Sequence, residues 1–356
     1  MAVLLAGDGF VTAGVLRRAV EDQPRIAETV ELKDLQSNWP NEPYRDFAGV
    51  REAFGDEDQL IAALQGAQVC FSHTYPFSEK VIAASPDLQL ITICRGGPVN
   101  VDIEAATRHG VVVSYTPGRN AIATAEHSVA MIMASARQIA QRDAELKAGQ
   151  WRSDYYNYDQ VGPEISGKTV GVCGYGAVGS RVARILAAMG AHVVVYDPWV
   201  EASALDEGME LAEDLNSMLV RASVLTLHSR LTAENQNMIG AEQIALLPEG
   251  AILVNCARGG LLDYDAVADA LDSGHLFAAG FDCLPEEPLP AGHRLFSTPR
   301  VTMTPHLAGA SKQAAELAAT IGAEDIASFL EGGKPLHCAN PEVFASDALR
   351  TERRAR

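Results

Sequence analysis

Apolar residues come in short blocks along this chain, five to seven residues long. Between them lie stretches where apolar positions recur every three or four residues. In the first third the blocks are AVLLAG (2–7), ETVEL (28–32), QVCFSH (68–73), LQLITIC (88–94) and VVVSYT (111–116). From the middle onward they are TVGVCGY (169–175), HVVVYD (192–197), VLTLH (224–228), AILVNC (251–256), LFAAGFD (276–282) and VTMTPH (301–306). Continuous apolar blocks of this length mark strands buried on both faces. Their alternation with helical stretches predicts an α/β chain with parallel sheets covered by helices. Eleven blocks are too many for one ordinary open sheet, so two doubly wound sheets are expected.

Residues 120–151 contain no such block and are rich in Ala, Met, Leu, Glu, Gln and Arg. They predict one helix of about 30 residues, roughly 45 Å long. That length suits a connector between domains. A last apolar helix over 312–330 needs a sheet to pack on. Spacing alone leaves open whether it returns to the first domain.

Composition narrows the function classes. The chain has 356 residues, 47% hydrophobic and 21% charged, which is room for two domains. The net charge of -18 carries no basic stripe and argues against a nucleic-acid partner. The one basic cluster, Arg350, Arg353, Arg354 and Arg356, is expected to be a frayed, solvated tail over 346–356. No apolar run approaches the roughly 18 residues of a membrane span. The start, MAVLLAGDGF, has no basic segment and is interrupted by Asp8, so it does not read as a signal peptide. Cys70, Cys94, Cys173, Cys256, Cys283 and Cys338 form no CxxC or metal-spaced pair. Reduced, buried thiols in a cytoplasmic protein are expected, and no metal.

The strongest local signal is Gly174-Tyr-Gly176-Ala-Val-Gly179, between the strand block TVGVC and an amphipathic helix. A second strand block then ends in Asp197, eighteen positions after Gly179. This is a dinucleotide fingerprint. Gly174 serves the tight turn, Gly176 the close approach of a pyrophosphate, and Gly179 the packing of helix on strand. The helix start receives the phosphates. Asp197 accepts from ribose hydroxyls and repels a 2′-phosphate. Pro198 and Trp199 offer that phosphate no cation, so NAD is expected rather than NADP.

Ligands sit beyond the carboxyl ends of parallel strands. Arg258 follows AILVNC, Glu287 follows the block ending at Asp282, and His306 closes VTMTPH. Arginine is a planar fork that fits a carboxylate. Histidine can give or take a proton, and a neighbouring carboxylate orients it and raises its pKa. With a nicotinamide these three suit oxidation of a carbinol beside a carboxylate, or reduction of the 2-keto acid. The blander readings are a structural ion pair for Arg258, a solvated loop acid for Glu287 (with Glu286 as a decoy), and a satisfied edge histidine for His306. Structural roles are the default for His73, His127 and His228.

With these residues in hand, the sequence resembles the D-isomer-specific 2-hydroxyacid dehydrogenases over nearly its whole length. The carriers are GYGAVG with Asp197, LHSRLTAENQNMIG (227–240), NCARGGLLD (255–263), GFDCLPEEPLP (280–290), TPHLAGAS (304–311), ICRGGPVNVD (93–102) and KPLHCANPE (334–342). The resemblance implies that Arg258 binds the substrate carboxylate and carbonyl, that His306 is the acid/base and that Glu287 is its partner. It implies that Asp282 and the Cys256 carbonyl contact the nicotinamide carboxamide, and that Ala177 and Val178 lie over the pyrophosphate. His73, Thr74, Arg95, Gly96 and Gly97 are implied to line the substrate side. The implied architecture is a Rossmann NAD-binding domain over 118–311, with helix 120–150 as hinge and dimer arm of a homodimer. A flavodoxin-like substrate domain takes 1–117 and 312–345.

The nearest branch is phosphoglycerate dehydrogenase-like, and 3-phosphoglycerate is one expected substrate. Glycerate/hydroxypyruvate and erythronate-type acids are alternatives. The chain ends soon after KPLHCANPE, so a C-terminal regulatory domain is not expected. Arg95 either meets a second anionic group or pairs with a local acid such as Asp102. Tyr155, Tyr156 and Tyr158 either approach the cleft or form an exposed linker cluster. A formate-dehydrogenase-like reading is disfavoured by Glu287. An NAD-sensing corepressor-like protein is the non-enzymatic alternative.

Overall fold

The computed structural model describes residues 1–40, 45–47 and 49–350. The chain divides into two units, Met1–Asn120 with Ala310–Arg356, and Ala121–Gly309.

The first unit holds β1 (Ala2–Gly7), β2 (Glu31–Gln36), β3 (Arg45–Phe47), β4 (Val50–Ala53), β5 (Val69–Ser72), β6 (Leu90–Ile93) and β7 (Val112–Tyr115). Five of them form one parallel sheet in the order β2-β1-β5-β6-β7. With the hairpin β3-β4 set aside, this is the flavodoxin-like order. Strand residues alternate between faces. Val3 and Leu5 pack on one side with Phe71, Leu90, Leu16 and Ile326, whereas Leu4 and Ala6 pack on the other with Cys70, Ile91, Leu60 and Ile82. Helix Lys312–Leu330 does return to this unit, where Ala315, Ala318, Ala319 and Ala323 join the first of those cores. Ser311 caps it by accepting from Ala314 N.

Two expectations are corrected here. ETVEL was expected as a strand at 28–32, but Thr29 closes a turn back to Ile26 and the strand begins at Glu31. β2 is an edge strand of mixed polarity, ELKDLQ, so its bounds are not marked by an apolar block. The short antiparallel hairpin β3-β4 was not anticipated. The basic tail is corrected at Arg350, whose Nη1 donates to Ser85 O and Leu88 O at 2.7 and 3.0 Å. Arg353, Arg354 and Arg356 lie outside the described residues.

The second unit holds β8 (Thr169–Cys173), β9 (His192–Tyr196), β10 (Glu210–Leu211), β11 (Val224–Leu227), β12 (Ala251–Asn255), β13 (Leu276–Phe281) and β14 (Val301–Met303). They form one parallel sheet in the order β10-β9-β8-β11-β12-β13-β14. Its first six strands have the Rossmann order, with β14 as an added edge. The two-residue β10 was not foreseen. All carboxyl ends share one edge, so the loops after β8, β12, β13 and β14 emerge together.

The single long helix expected over 120–151 is instead two. Ala121–Arg137 lies on β12 and β13 with Ser128, Met131, Ile132 and Ala136 buried. Ile139–Lys147 buries nothing. The break is Gln138, in the left-handed region at φ 51 and ψ 41. Propensity favoured continuation, but the apolar stripe that holds the first helix on the sheet ends at Ala136. Among the described residues, no helix is long and apolar enough to cross a membrane. All six cysteines are free thiols.

Candidate active site

The turn after β8 leads directly into helix Gly179–Ala188, whose Val182, Ala183 and Leu186 are buried on the sheet. Three glycines there answer to different constraints. Gly174 has φ +96, and a Cβ on it would lie 2.7 Å from Ser229 N. A Cβ on Gly179 would lie 1.9 Å from Gly174 O. A Cβ on Gly176 would meet nothing within 4 Å. The protein's own packing demands the first and third glycines. The second faces open space, as a site for a closely approaching ligand requires. Ala177 and Val178 lie between them at the helix start, and Ala177 O accepts from Arg181.

Asp197, just past β9, is held by backbone donors. Its Oδ2 accepts from Tyr175 N at 2.8 Å and its Oδ1 from Trp199 N at 3.0 Å. Tyr175 in turn donates through its hydroxyl to Asp206 at 2.8 Å, and Arg184 donates to the same carboxylate at 2.7 Å. The sequence reading missed this tether. The residues are 31 and 22 positions from Asp206, and no local motif joins them.

The loops after β12 and β13 are locked to each other. Asn255, fully buried, donates to Arg258 O at 2.9 Å and to the Tyr264 hydroxyl at 3.2 Å. Tyr264 donates to Cys283 O at 2.5 Å. A Cβ on Gly259 would lie 1.9 Å from Leu284 O, so only glycine lets these loops touch. Arg258 is exposed, and its Nη1 donates to Ala257 O. Cys256 is buried at the end of this strand.

Glu287 and His306 meet. His306 Nδ1–H donates to Glu287 Oε2 at 2.7 Å, and the other carboxylate oxygen accepts from Leu284 N at 3.0 Å. The acid partner fixes the Nδ1–H tautomer. Burial alone would raise Glu287. The hydrogen bond and charge of His306, the Leu284 N–H and the charge of Arg258 outweigh it and hold Glu287 below the usual range. His306 is raised to about 10 by hydrogen bonding to Cys283 and then to Glu287. The decoy Glu286 is exposed.

His306 sits at φ +54, an uncommon backbone for histidine. Asp282 holds it there. His306 N donates to Asp282 O, Thr304 Oγ1 and Leu307 N donate to Oδ1 at 2.6 and 2.7 Å, and Ala308 N donates to Oδ2 at 2.8 Å. His127 donates to Thr304 Oγ1 at 3.1 Å. The carboxylate expected at the nicotinamide is thus fully buried and engaged as the clamp of the histidine turn. His127 belongs to that clamp, which spacing along the chain gave no means of finding.

The remaining expected positions lie in the first unit. His73 Nδ1 pairs with Asp8 Oδ2 at 2.7 Å, and Thr74 Oγ1 donates to the same oxygen at 2.8 Å. Burial holds His73 below its ordinary pKa despite Asp8. Burial would raise Asp8, but the bonds from His73 and the Phe10 N–H bring it below the usual range. Arg119 Nη2 approaches His73 Nε2 at 3.4 Å, and Trp39 stacks on its ring. Asp8 and Arg119 were not singled out from sequence. Gly96 and Gly97 have open space where a Cβ would stand. Arg95 pairs with Glu52, not Asp102, which caps helix Ile103–Arg108 instead. In the second unit, the Tyr155 ring lies 4.4 Å from Arg142 and 4.8 Å from Arg152, while Tyr156 and Tyr158 are exposed.

Residues 129–308 match the family model described as D-isomer specific 2-hydroxyacid dehydrogenase, NAD binding domain. The D-3-phosphoglycerate dehydrogenase of Mycobacterium leprae is 40% identical over 279 residues, 78% of this chain and 52% of that one. The chain therefore spans about half the length of such relatives. A glyoxylate reductase of Thermofilum pendens is 31% identical over 90% of this chain and 93% of its own. Among solved structures, the TT0316 protein of Thermus thermophilus superposes with a TM-score of 0.77 at 28% identity, covering 95% of this chain and all of that one.

Proposed function

The chain belongs to the D-isomer-specific 2-hydroxyacid dehydrogenase family and carries its NAD-binding domain, and from that premise we propose that it transfers hydride between a nicotinamide and a D-2-hydroxy acid or its 2-keto acid. The observation that carries this reading is the 2.7 Å bond between His306 and Glu287 on the sheet edge that also bears Arg258 and the glycine turn. The open space at Gly176 and the backbone-held Asp197 fit NAD. Gly174, Gly176, Ala177, Val178, Gly179 and Asp197 would hold it, and Cys256 and Asp282 would border the nicotinamide. When bound, NAD supplies the hydride chemistry.

The chain's own residues do the rest. The Arg258 fork takes the carboxylate and polarises the keto oxygen. With Nδ1 committed to Glu287, His306 Nε2 is the nitrogen that gives a proton to that oxygen in reduction and takes it back in oxidation. Glu287 fixes the tautomer and stabilises the imidazolium.

The pKa of about 10 sets a sign. Reduction needs protonated His306, which exists below its pKa, so reduction should hold through neutral pH and fall only as pH rises through that value. Oxidation should favour alkaline pH. Glu287→Gln removes one of the groups that raises His306, so the fall should move to lower pH. The check is kcat/KM for NADH-dependent reduction across pH; an unmoved profile would remove Glu287 from the role.

Asp197→Asn keeps the size of the side chain and removes its charge. Losing a charged acceptor for a ribose hydroxyl costs about 1.5 kcal/mol, so the preference for NAD over NADP should fall about tenfold. The ratio of kcat/KM with the two cofactors measures it, and a constant ratio would mean that selection lies elsewhere.

For substrate, the proposal is a small 2-keto acid anchored by Arg258. Resemblance to D-3-phosphoglycerate dehydrogenase supports a phosphorylated one, with His73, Thr74, Arg95, Gly96 and Gly97 on the substrate side. The near full-length likeness to a glyoxylate reductase, and Glu52 already on Arg95, support an unphosphorylated one. NADH consumption with phosphohydroxypyruvate, hydroxypyruvate and glyoxylate separates the two. NAD binding with no turnover of any 2-keto acid would instead favour a corepressor-like sensor. A second copy covering the exposed Ile139, Leu146, Trp151 and Tyr156 would make the homodimer expected of helix 120–150. The free thiols suit a cytoplasmic setting.

A further inference from the structure

We propose that Cys283, Glu287 and His306 form a site for a thiophilic divalent cation, zinc by chemical class, whose binding switches off proton transfer at His306. One ligand atom from each residue lies within 4.8 Å of the other two. Imidazole, carboxylate and thiolate are each zinc ligands, and three of them leave one position of a tetrahedral zinc open. Spacing along the chain concealed it, because two donors come from the loop after β13 and the third from the loop after β14.

The donors stand on fixed backbone. Cys283 O accepts from Tyr264, Leu284 N donates to Glu287, and His306 N donates to Asp282 O. The sulfur is buried, with its S–H directed to Ala257 O at 3.3 Å. Glu287 and His306 are partly exposed and lead from solvent to it. On binding, the thiol proton and the proton between His306 and Glu287 pass to solvent, and the hydrogen bonds of Cys283 to Ala257 O and of His306 to Glu287 and Cys283 are given up. The same carboxylate and imidazole then serve either the cation or the proton, never both. A metal-bound imidazole has no proton held by Glu287 and cannot act as the acid.

Loss of turnover as a readout rests on the dehydrogenase reading, so the deciding measurement is spectroscopic. The full chain, untagged and stripped with a chelator, is titrated with Co²⁺. A thiolate-to-cobalt absorption in the near ultraviolet, saturating at one equivalent, is expected. It should vanish in Cys283→Val and Cys283→Ser and persist in Cys338→Ser, which alters the one thiol that is not fully buried. Glu287→Gln should shift the titration to higher Co²⁺, which keeps the test open if a Cys283 variant does not fold. In parallel, saturating Zn²⁺ should lower 2-keto acid reduction by about 100-fold, the worth of a general acid, and a chelator should restore it. Each Cys283 variant, compared with its own metal-free rate, should escape that loss. A cobalt spectrum without the thiolate band, or a band that survives removal of Cys283, overturns the site. A Cys283-dependent band in a protein that turns over no 2-keto acid leaves the site standing and sinks the dehydrogenase reading. Turnover without the band does the reverse.

Discussion

His306→Asn is expected to lower kcat for 2-keto acid reduction by about 10²–10⁴-fold, the usual contribution of a positioned general acid. The choice of asparagine matters. Position 306 has φ +54, and asparagine is among the few residues that adopt the left-handed region readily. The turn held by Asp282, through Thr304, Leu307 and Ala308, should therefore survive. What is lost is the imidazole, and with it the titrating group placed against Glu287 Oε2. The glycine turn and Asp197 are untouched, so NADH affinity should not change. Turnover by NADH absorbance and binding by NADH fluorescence separate the two effects. A variant that retains wild-type kcat would remove His306 from the chemistry.

Arg258→Lys should reduce kcat/KM by about 100-fold, comparable to removing one preorganised donor to a developing oxyanion. Charge is kept, but the planar fork that binds carboxylate and carbonyl together is not. Within the fold, the Arg258 side chain donates to the neighbouring Ala257 carbonyl, and it is exposed. Stability should therefore move by no more than about 0.5 kcal/mol. The loop itself is held by Asn255 and by the contact of Gly259 with Leu284, neither of which the substitution alters. A large fall in thermal stability with unchanged kinetics would show that Arg258 is a structural residue.

These two residues show how far reading along the chain can go. Arg258, Glu287 and His306 were legible as candidates because each stands just past an apolar block, and parallel sheets put ligands there. The glycine turn was legible because its constraint is local. Gly174 needs its positive φ, Gly179 needs contact with Gly174 O, and both lie within six positions. Where the pattern is polar, as in the edge strand β2, the reading placed the strand at 28–32 instead of Glu31–Gln36, and the hairpin β3-β4 escaped it. It failed again at Gln138, since composition favours a helix on both sides of a break whose cause is loss of contact with the sheet.

The apolar periodicity and the glycine spacing by themselves determined the α/β class and the two sheets, and singled out the glycine turn and Arg258, Glu287 and His306 as candidates, because each is written in neighbouring positions. Only the tertiary structure decided which groups hold those side chains in place. Asp282 clamps the histidine turn, Asn255 and Tyr264 tie the arginine loop to Cys283, Asp206 tethers Tyr175, and Glu52 takes Arg95. Each partnership except the Asn255–Tyr264 link joins residues at least eighteen positions apart. A hydrogen bond requires its two atoms within about 3 Å, and over such separations only the packing of whole strands and helices brings them there.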